Sequence, residues 1–255
     1  MAPVLAAGLV VACDDALQGV GPSSVWGFVV MEATQSGGSH FTNPEGLFFR
    51  GNLAAVPNAD FTTQDSCADG PYSAGGGLTG VSFLDAGPSV EAIIGGVTTT
   101  LSRTTTDDGL SYLPAIPVPF TPGDSIVVNI DGAAGGFPGG TIRAKTAEAF
   151  DFPTFEPPGG TETIMLNWTV PQDPRSAMVV SLRYAGTGST INRQVLCTFI
   201  DDGVDSIPFR WHANWSSSAG PREVVATRLR THYVAAADAN LGVVSTYQIP
   251  TPPNP

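Results

Sequence analysis

The chain has 255 residues, 42% apolar and only 13% charged, with 30 Gly and 22 Pro. Gly and Pro make poor helix interiors and good turns, so this mixture argues against a helical bundle or a disordered chain and predicts many short strands joined by tight turns. A formal charge of −12, from 23 acids against 11 bases, repels phosphate backbones and anionic headgroups and excludes nucleic acid as an expected partner.

Taken in order, the chain opens with small and apolar residues from Ala2 to Ala12, followed by Cys13 and two acids. The run has the length of a secretory apolar region, although no Lys or Arg precedes it, and Val10-Val11-Ala12-Cys13 looks like a bacterial lipobox. Residues 1–13 are therefore read as a signal peptide, with Cys13 as the acylated mature N-terminus that anchors the protein to a membrane. The alternative is a buried strand. The run is too short to cross a bilayer as a helix, which takes about 20 apolar residues. Residues 14–24 carry acids, Gly and Pro without periodicity and read as a tether.

From residue 25 the period becomes two. Trp26, Phe28 and Val30 alternate on one face, and further strands are expected at 46–50, 89–94 and 98–102. Between Pro57 and Gly80 the composition is that of loops, and Cys67 falls there. Ile126, Val128 and Ile130 alternate after Phe120-Thr121-Pro122-Gly123-Asp124, whose Pro-Gly is a type II turn signal. Lys145 ends a further strand. Residues 151–160 include three prolines and read as a linker, because consecutive prolines cannot join a ladder.

A second set of strands follows. Ile164, Leu166 and Trp168 share one face, as do Met178, Val180, Leu182 and Tyr184. Val195, Cys197 and Phe199 alternate with Leu196, Thr198 and Ile200, which marks a strand buried on both sides. Asp202-Gly203 supplies a hairpin turn into a second strand ending near Pro208. Strands are also expected at 223–234 and 242–249, before a Pro-rich tail over 250–255. The expected fold is all-β: two antiparallel Ig-like β-sandwich domains in tandem, over 25–150 and 161–249.

One pattern runs through both halves. It comprises Trp168 in Leu166-Asn167-Trp168-Thr169-Val170, Cys197 with Asp201-Asp202-Gly203 and Ile207-Pro208, Ala226-Thr227-Arg228, and Val243-Val244-Ser245-Thr246-Tyr247. Upstream it includes Leu84-Asp85-Ala86-Gly87-Pro88, Tyr112, the Phe120–Asp124 turn and Phe137-Pro138. This resembles a group of secreted or lipid-anchored β-sandwich proteins of myxobacteria and related environmental bacteria. The likeness covers most of residues 25–249. It implies a sandwich architecture and an envelope address, and it lends no catalytic residue, since the group has no established activity.

Catalytic chemistry leaves little trace in the sequence. His40, His212 and His232 are the three histidines; none lies near a Gly-x-Ser-x-Gly elbow. His40 reads as a loop residue, and His232 as part of a solvent-facing polar row with Arg228 and Arg230. Those arginines and Arg183 either form a basic stripe for an acidic partner or pair across the sheet. No Cys-x-x-Cys, His-x-x-x-His or phosphate loop occurs, so no cofactor is expected. Asp201, Asp202 and Asp205 around Gly203 are a weak calcium candidate, and Asp107-Asp108-Gly109 a weaker one, against the plainer reading of acidic turns. Trp211, His212 and Trp215 form the candidate glycan or peptide contact, read as a loop with two rings, the alternative being a cap on the core.

Cys67 and Cys197 are either a disulfide, which the oxidising address favours, or a loop thiol and a small core residue. The expected function is that of an exported, lipid-anchored protein of the cell envelope with a non-catalytic binding or structural role. A carbohydrate-binding module and a secreted hydrolase are the alternatives.

Overall fold

The computed structural model describes residues 25–36, 38–51, 65–72, 81–106, 109–151 and 162–251. Cys13, the tether, Asp107, Asp108, most of the Pro-rich piece and residues 252–255 lie outside them. Upstream of that piece are β1 (Val25–Ser36), β2 (Ser39–Thr42), β3 (Glu45–Arg50), β4 (Ser66–Pro71), β5 (Ser82–Phe83), β6 (Ser89–Ile94), β7 (Val97–Thr106), β8 (Gly109–Pro114), β9 (Val118–Phe120), β10 (Ser125–Ile130) and β11 (Gly140–Lys145). Downstream are β12 (Ile164–Asn167), β13 (Ser176–Tyr184), β14 (Arg193–Ile200), β15 (Val204–Ile207), the helix α1 (Phe209–Ser217), β16 (Arg222–Ala236) and β17 (Ala239–Thr251).

The fold is all-β, as the alternation predicts. Ile126, Val128 and Ile130 of β10 are buried while their neighbours are not, and Val90, Ala92 and Ile94 repeat the pattern on β6. Most pairing is antiparallel through a large sheet of order β11-β10-β6-β7-β8-β3-β1-β17-β16-β13-β14-β4. One pair departs from the antiparallel expectation. β1 runs parallel to β17, with Trp26 opposite Asn240 and Ala33 opposite Tyr247. A hairpin cannot make a parallel pair, so the connection between these two strands runs through all the intervening elements.

Two main cores lie along this sheet. The first gathers Val29 and Met31 of β1, Phe48, Leu101, Tyr112, Phe137 and the inward residues of β6 and β10, with Leu241 and Val243 of β17. The second gathers Met178, Val180, Leu182, Val195, Phe199, Leu166, Trp168 and Trp215, with Ala33 of β1 and Tyr247 of β17. Each fully buried side chain of this kind contributes about 1.5–3 kcal/mol relative to exposure. Because β1 and β17 pass from one core to the other, their parallel seam joins the two. The first core closes where β11 meets β16: a Cβ on Gly140 would lie 3.2 Å from the Ala236 Cβ.

Two local expectations are corrected. Asp202-Gly203 is not a hairpin between β14 and its successor, since β15 pairs with β12 in a separate two-stranded ribbon while β14 pairs with β13 and β4. The turn is a corner that carries the chain out of the large sheet. Gly203 has φ +97°, and a Cβ there would meet Val170 Cγ2 at 2.6 Å, so both the turn and its packing require glycine. Cys67 is not in a loop either. It lies on β4 directly opposite Cys197 of β14, and the two form a disulfide.

Candidate functional site

The row of basic residues on β16 faces inward. Arg228 is 1% exposed and Arg230 6% exposed, which overturns the solvent-facing reading. The alternation placed them on one face correctly, but loops 146–151 and 168–175 cover that face. Arg228 donates to both carboxylate oxygens of Asp201, at 2.7 Å from Nε and 3.0 Å from Nη2. It also donates to the carbonyls of Ala149 and Thr169. Asp201 accepts two further bonds, from Trp168 Nε1 at 2.7 Å and Ser176 Oγ at 2.6 Å. A buried ion pair this fully hydrogen-bonded pins the corner and both loops to the sheet.

Beside it, Asp173 receives Arg230 Nη2 at 2.7 Å and both Nε and Nη2 of Arg175 at 3.1 Å. These contacts, Arg230 first, hold the Asp173 carboxyl far below the usual range. His232, on the same face of β16, is held below the ordinary imidazole value by burial and by the charges of Arg175 and Arg230.

The stretch read as an open loop with two rings is α1. Pro208 precedes it with its φ already near the helical value, and His212 and Trp215 recur on its buried face. Neither is available as a sugar platform, since both are 0% exposed. Trp215 Nε1 donates to the Arg183 carbonyl at 3.1 Å, and the Arg222 guanidinium lies 5.0 Å from its ring centre. Trp211 is half-buried against the second core, with Arg210 5.7 Å from its ring. His212 Nε2 lies 2.9 Å from the Glu162 carbonyl, which only accepts, so Nε2 carries the proton and Nδ1 accepts from Ser216 Oγ at 2.8 Å. Burial lowers the His212 pKa and favours this neutral form.

Against the C-terminal end of α1 lies a cleft of about 560 Å³. Tyr184 and Arg193 line it from the ends of β13 and β14, Thr187 and Asn192 from the turn between them, and Asn214 and Ser217 from α1. Asp69 of β4 receives Arg193 Nη2 at 2.6 Å and the Tyr184 hydroxyl at 3.3 Å, so the one cation here is balanced. Asn192 holds the turn by accepting from the Gly186 amide at 2.9 Å. The exposed Asn214 and Thr187 side chains remain turned to solvent. The sequence signal for this cleft is weak: it is assembled by a turn, the two strand ends that flank it and a helix.

The acidic corner is divided by the fold. Asp201 points into the core, whereas Asp202 accepts from the Val204 amide at 3.3 Å and Asp205 from the Ser206 amide at 2.6 Å. Burial, then the neighbouring Asp65 and Asp202, raises the Asp205 pKa. Among the described residues no group of three or more His, Cys, Asp or Glu is placed to hold a metal ion. His40 is on β2, not in a loop, with Nε2 3.2 Å from the Tyr247 hydroxyl. No described helix is long and apolar enough to cross a membrane.

Comparison with known proteins adds little to this geometry. No family model and no curated protein matches the chain. Among solved structures, the chain is similar to a DUF4785 family protein from Legionella pneumophila at 8% identity and a TM-score of 0.26. The match covers 78% of this chain and 50% of that one, so the chain spans about half the length of its structural neighbour, and at that score the likeness defines neither fold nor function.

Proposed function

We propose that this is an exported, lipid-anchored protein of the bacterial cell envelope with a non-catalytic binding role, built as two Ig-like sandwich lobes that share the β1–β17 seam. The observation that carries the reading is the Cys67–Cys197 disulfide, which closes a separation of 130 residues inside the folded body. Such bonds persist in oxidising compartments and are rare in the cytosol. The apolar run before Cys13 supplies the export signal and Cys13 the anchor, leaving the tether to hold the body away from the membrane. The groups best suited to chemistry, His212, Asp201 and Arg228, are spent on structural hydrogen bonds. The open polar cleft beside α1 is the binding surface.

Fractionation of the native host tests the anchor. The wild-type protein is expected in the membrane fraction and a Cys13→Ser variant in the soluble one. Equal recovery of both in the soluble fraction contradicts the reading.

One observation favours a second reading, a secreted hydrolase. His212 Nδ1 lies within hydrogen-bond reach of Ser216 Oγ and is oriented by the Glu162 carbonyl, which is the geometry of a nucleophile and its base. Ser216 does not line the cleft, however, and the pair is an ordinary i, i+4 contact on one helix. A fluorophosphonate probe that labels wild-type protein but not Ser216→Ala would establish the hydrolase.

A further inference from the structure

We infer that the cleft between the β13–β14 turn and α1 binds a neutral, hydroxyl-rich ligand, the end or side of an oligosaccharide chain; this rests on the binding role proposed above. The chemistry of the lining narrows the choice. The cleft's cation, Arg193, is already neutralised by Asp69 at 2.6 Å, and the whole chain carries a charge of −12, so an anionic ligand meets no surplus positive charge. A metal finds no carboxylate free to take it, since Asp69 also accepts from Tyr184. An apolar ligand finds no apolar wall: Tyr184 is 4% exposed and its ring belongs to the second core, and the other apolar lining residues are alanines.

The lining is made of groups that donate and accept together: the exposed Asn214 amide and Thr187 hydroxyl, with Asn192, whose Oδ1 accepts from the Gly186 amide and whose Nδ2 donates to the Thr187 carbonyl, beside them. Sugar hydroxyls pair well with such a set because each of them also donates and accepts. A peptide is the competing macromolecule. It would need an unpaired strand edge or a side-chain pocket. β13 is bonded to β14 and β16, and β14 to β13 and β4, so neither strand offers an edge here.

The test uses the full chain with its disulfide intact and an array of neutral oligosaccharides (cello-, xylo-, manno- and chito-oligomers), with a polyuronate and a random peptide pool as controls. At least one neutral series is expected to bind, followed by calorimetry, and Asn214→Ala and Thr187→Ala are each expected to weaken it tenfold or more. Both positions are exposed, and an unchanged melting temperature shows that the variants fold. Trp211→Phe, at a position that does not line the cleft, is expected to leave binding unchanged. The inference is overturned if no neutral oligosaccharide binds, if only the polyuronate or the peptides bind, or if binding is indifferent to Asn214 and Thr187. The underlying reading fails separately: if the array glycans are bound but also cleaved, the cleft assignment stands and the non-catalytic role does not.

Discussion

Asp201 accepts four hydrogen bonds in a site from which water is excluded, two of them from Arg228. Removing one partner of such a pair leaves a buried charge uncompensated and costs about 3–5 kcal/mol, whereas replacing both by apolar groups is often close to neutral. Arg228→Met is therefore expected to lower the unfolding free energy by about 3–5 kcal/mol in denaturant titration. Arg228→Met combined with Asp201→Leu is expected to cost less than the sum of the two changes, because neither charge is then left uncompensated. Strict additivity would show that the two groups do not act as a pair.

The titrating residues set the pH dependence. His212 and His232 have folded pKa values below the ordinary 6.5, so the unfolded chain binds more protons than the native one as pH falls. Their contribution is present above pH 6.5 and is lost as pH falls through the folded values. Asp173 adds a second loss below pH 3.8, its ordinary value, as its carboxylate is forced to protonate against Arg230 and Arg175. Denaturant midpoints measured from pH 8 down to pH 3 are expected to fall in these two stages. Substituting His232 by Gln should flatten the first of them, and a profile unchanged by that substitution contradicts the assignment.

At the scale of elements, β4 depends on few contacts. It contributes little buried area, and it is held by its ladder to β14, the Asp69 pair with Arg193, the Asp65 bond to the Ile200 amide and the disulfide. Closing so long a loop is worth about 5 kcal/mol in the chain-entropy model, an upper figure because native strain is left out. Reduction is expected to release β4 first, seen as faster amide exchange over 66–71 and 193–200 while β13 and β16 stay protected. Loss of protection throughout the sheet at once would contradict this order.

Elements also show what the sequence could reveal. The pattern of apolar residues located β10, β13, β14, β16 and β17, because it is a local property of a strand, whether one face or both are buried. Strand partners are not local. Asp202-Gly203 announced a turn but not that β15 leaves β14 for β12, since positive φ fixes a change of direction and not the destination. The helix has a signal in the sequence: Trp211 and Trp215 are four apart and His212 and Trp215 three apart, the helical spacing, shortly after Pro208. Alternation puts Arg228, Arg230 and His232 on one face but does not show that the face is covered, because the cover comes from loops 50 to 80 residues earlier. Of the cleft, only the residue types were visible.

At the scale of the whole molecule, the parallel seam joins strands from the two ends of the described chain. Two cores sharing β1 and β17 form a body from which neither half is cleanly separated, with the disulfide tying β4 to the second core. The proposed address outside the cytosol rests on the cysteine pair, since a reducing compartment opens such a bond. The measurement that bears most directly on this account is the intact mass, under non-reducing conditions, of protein taken from its native host. The account predicts a chain that begins at Cys13, carries acyl chains there, and has Cys67 and Cys197 joined. Protein that retains Met1, carries no lipid and has two free thiols at Cys67 and Cys197 would contradict it.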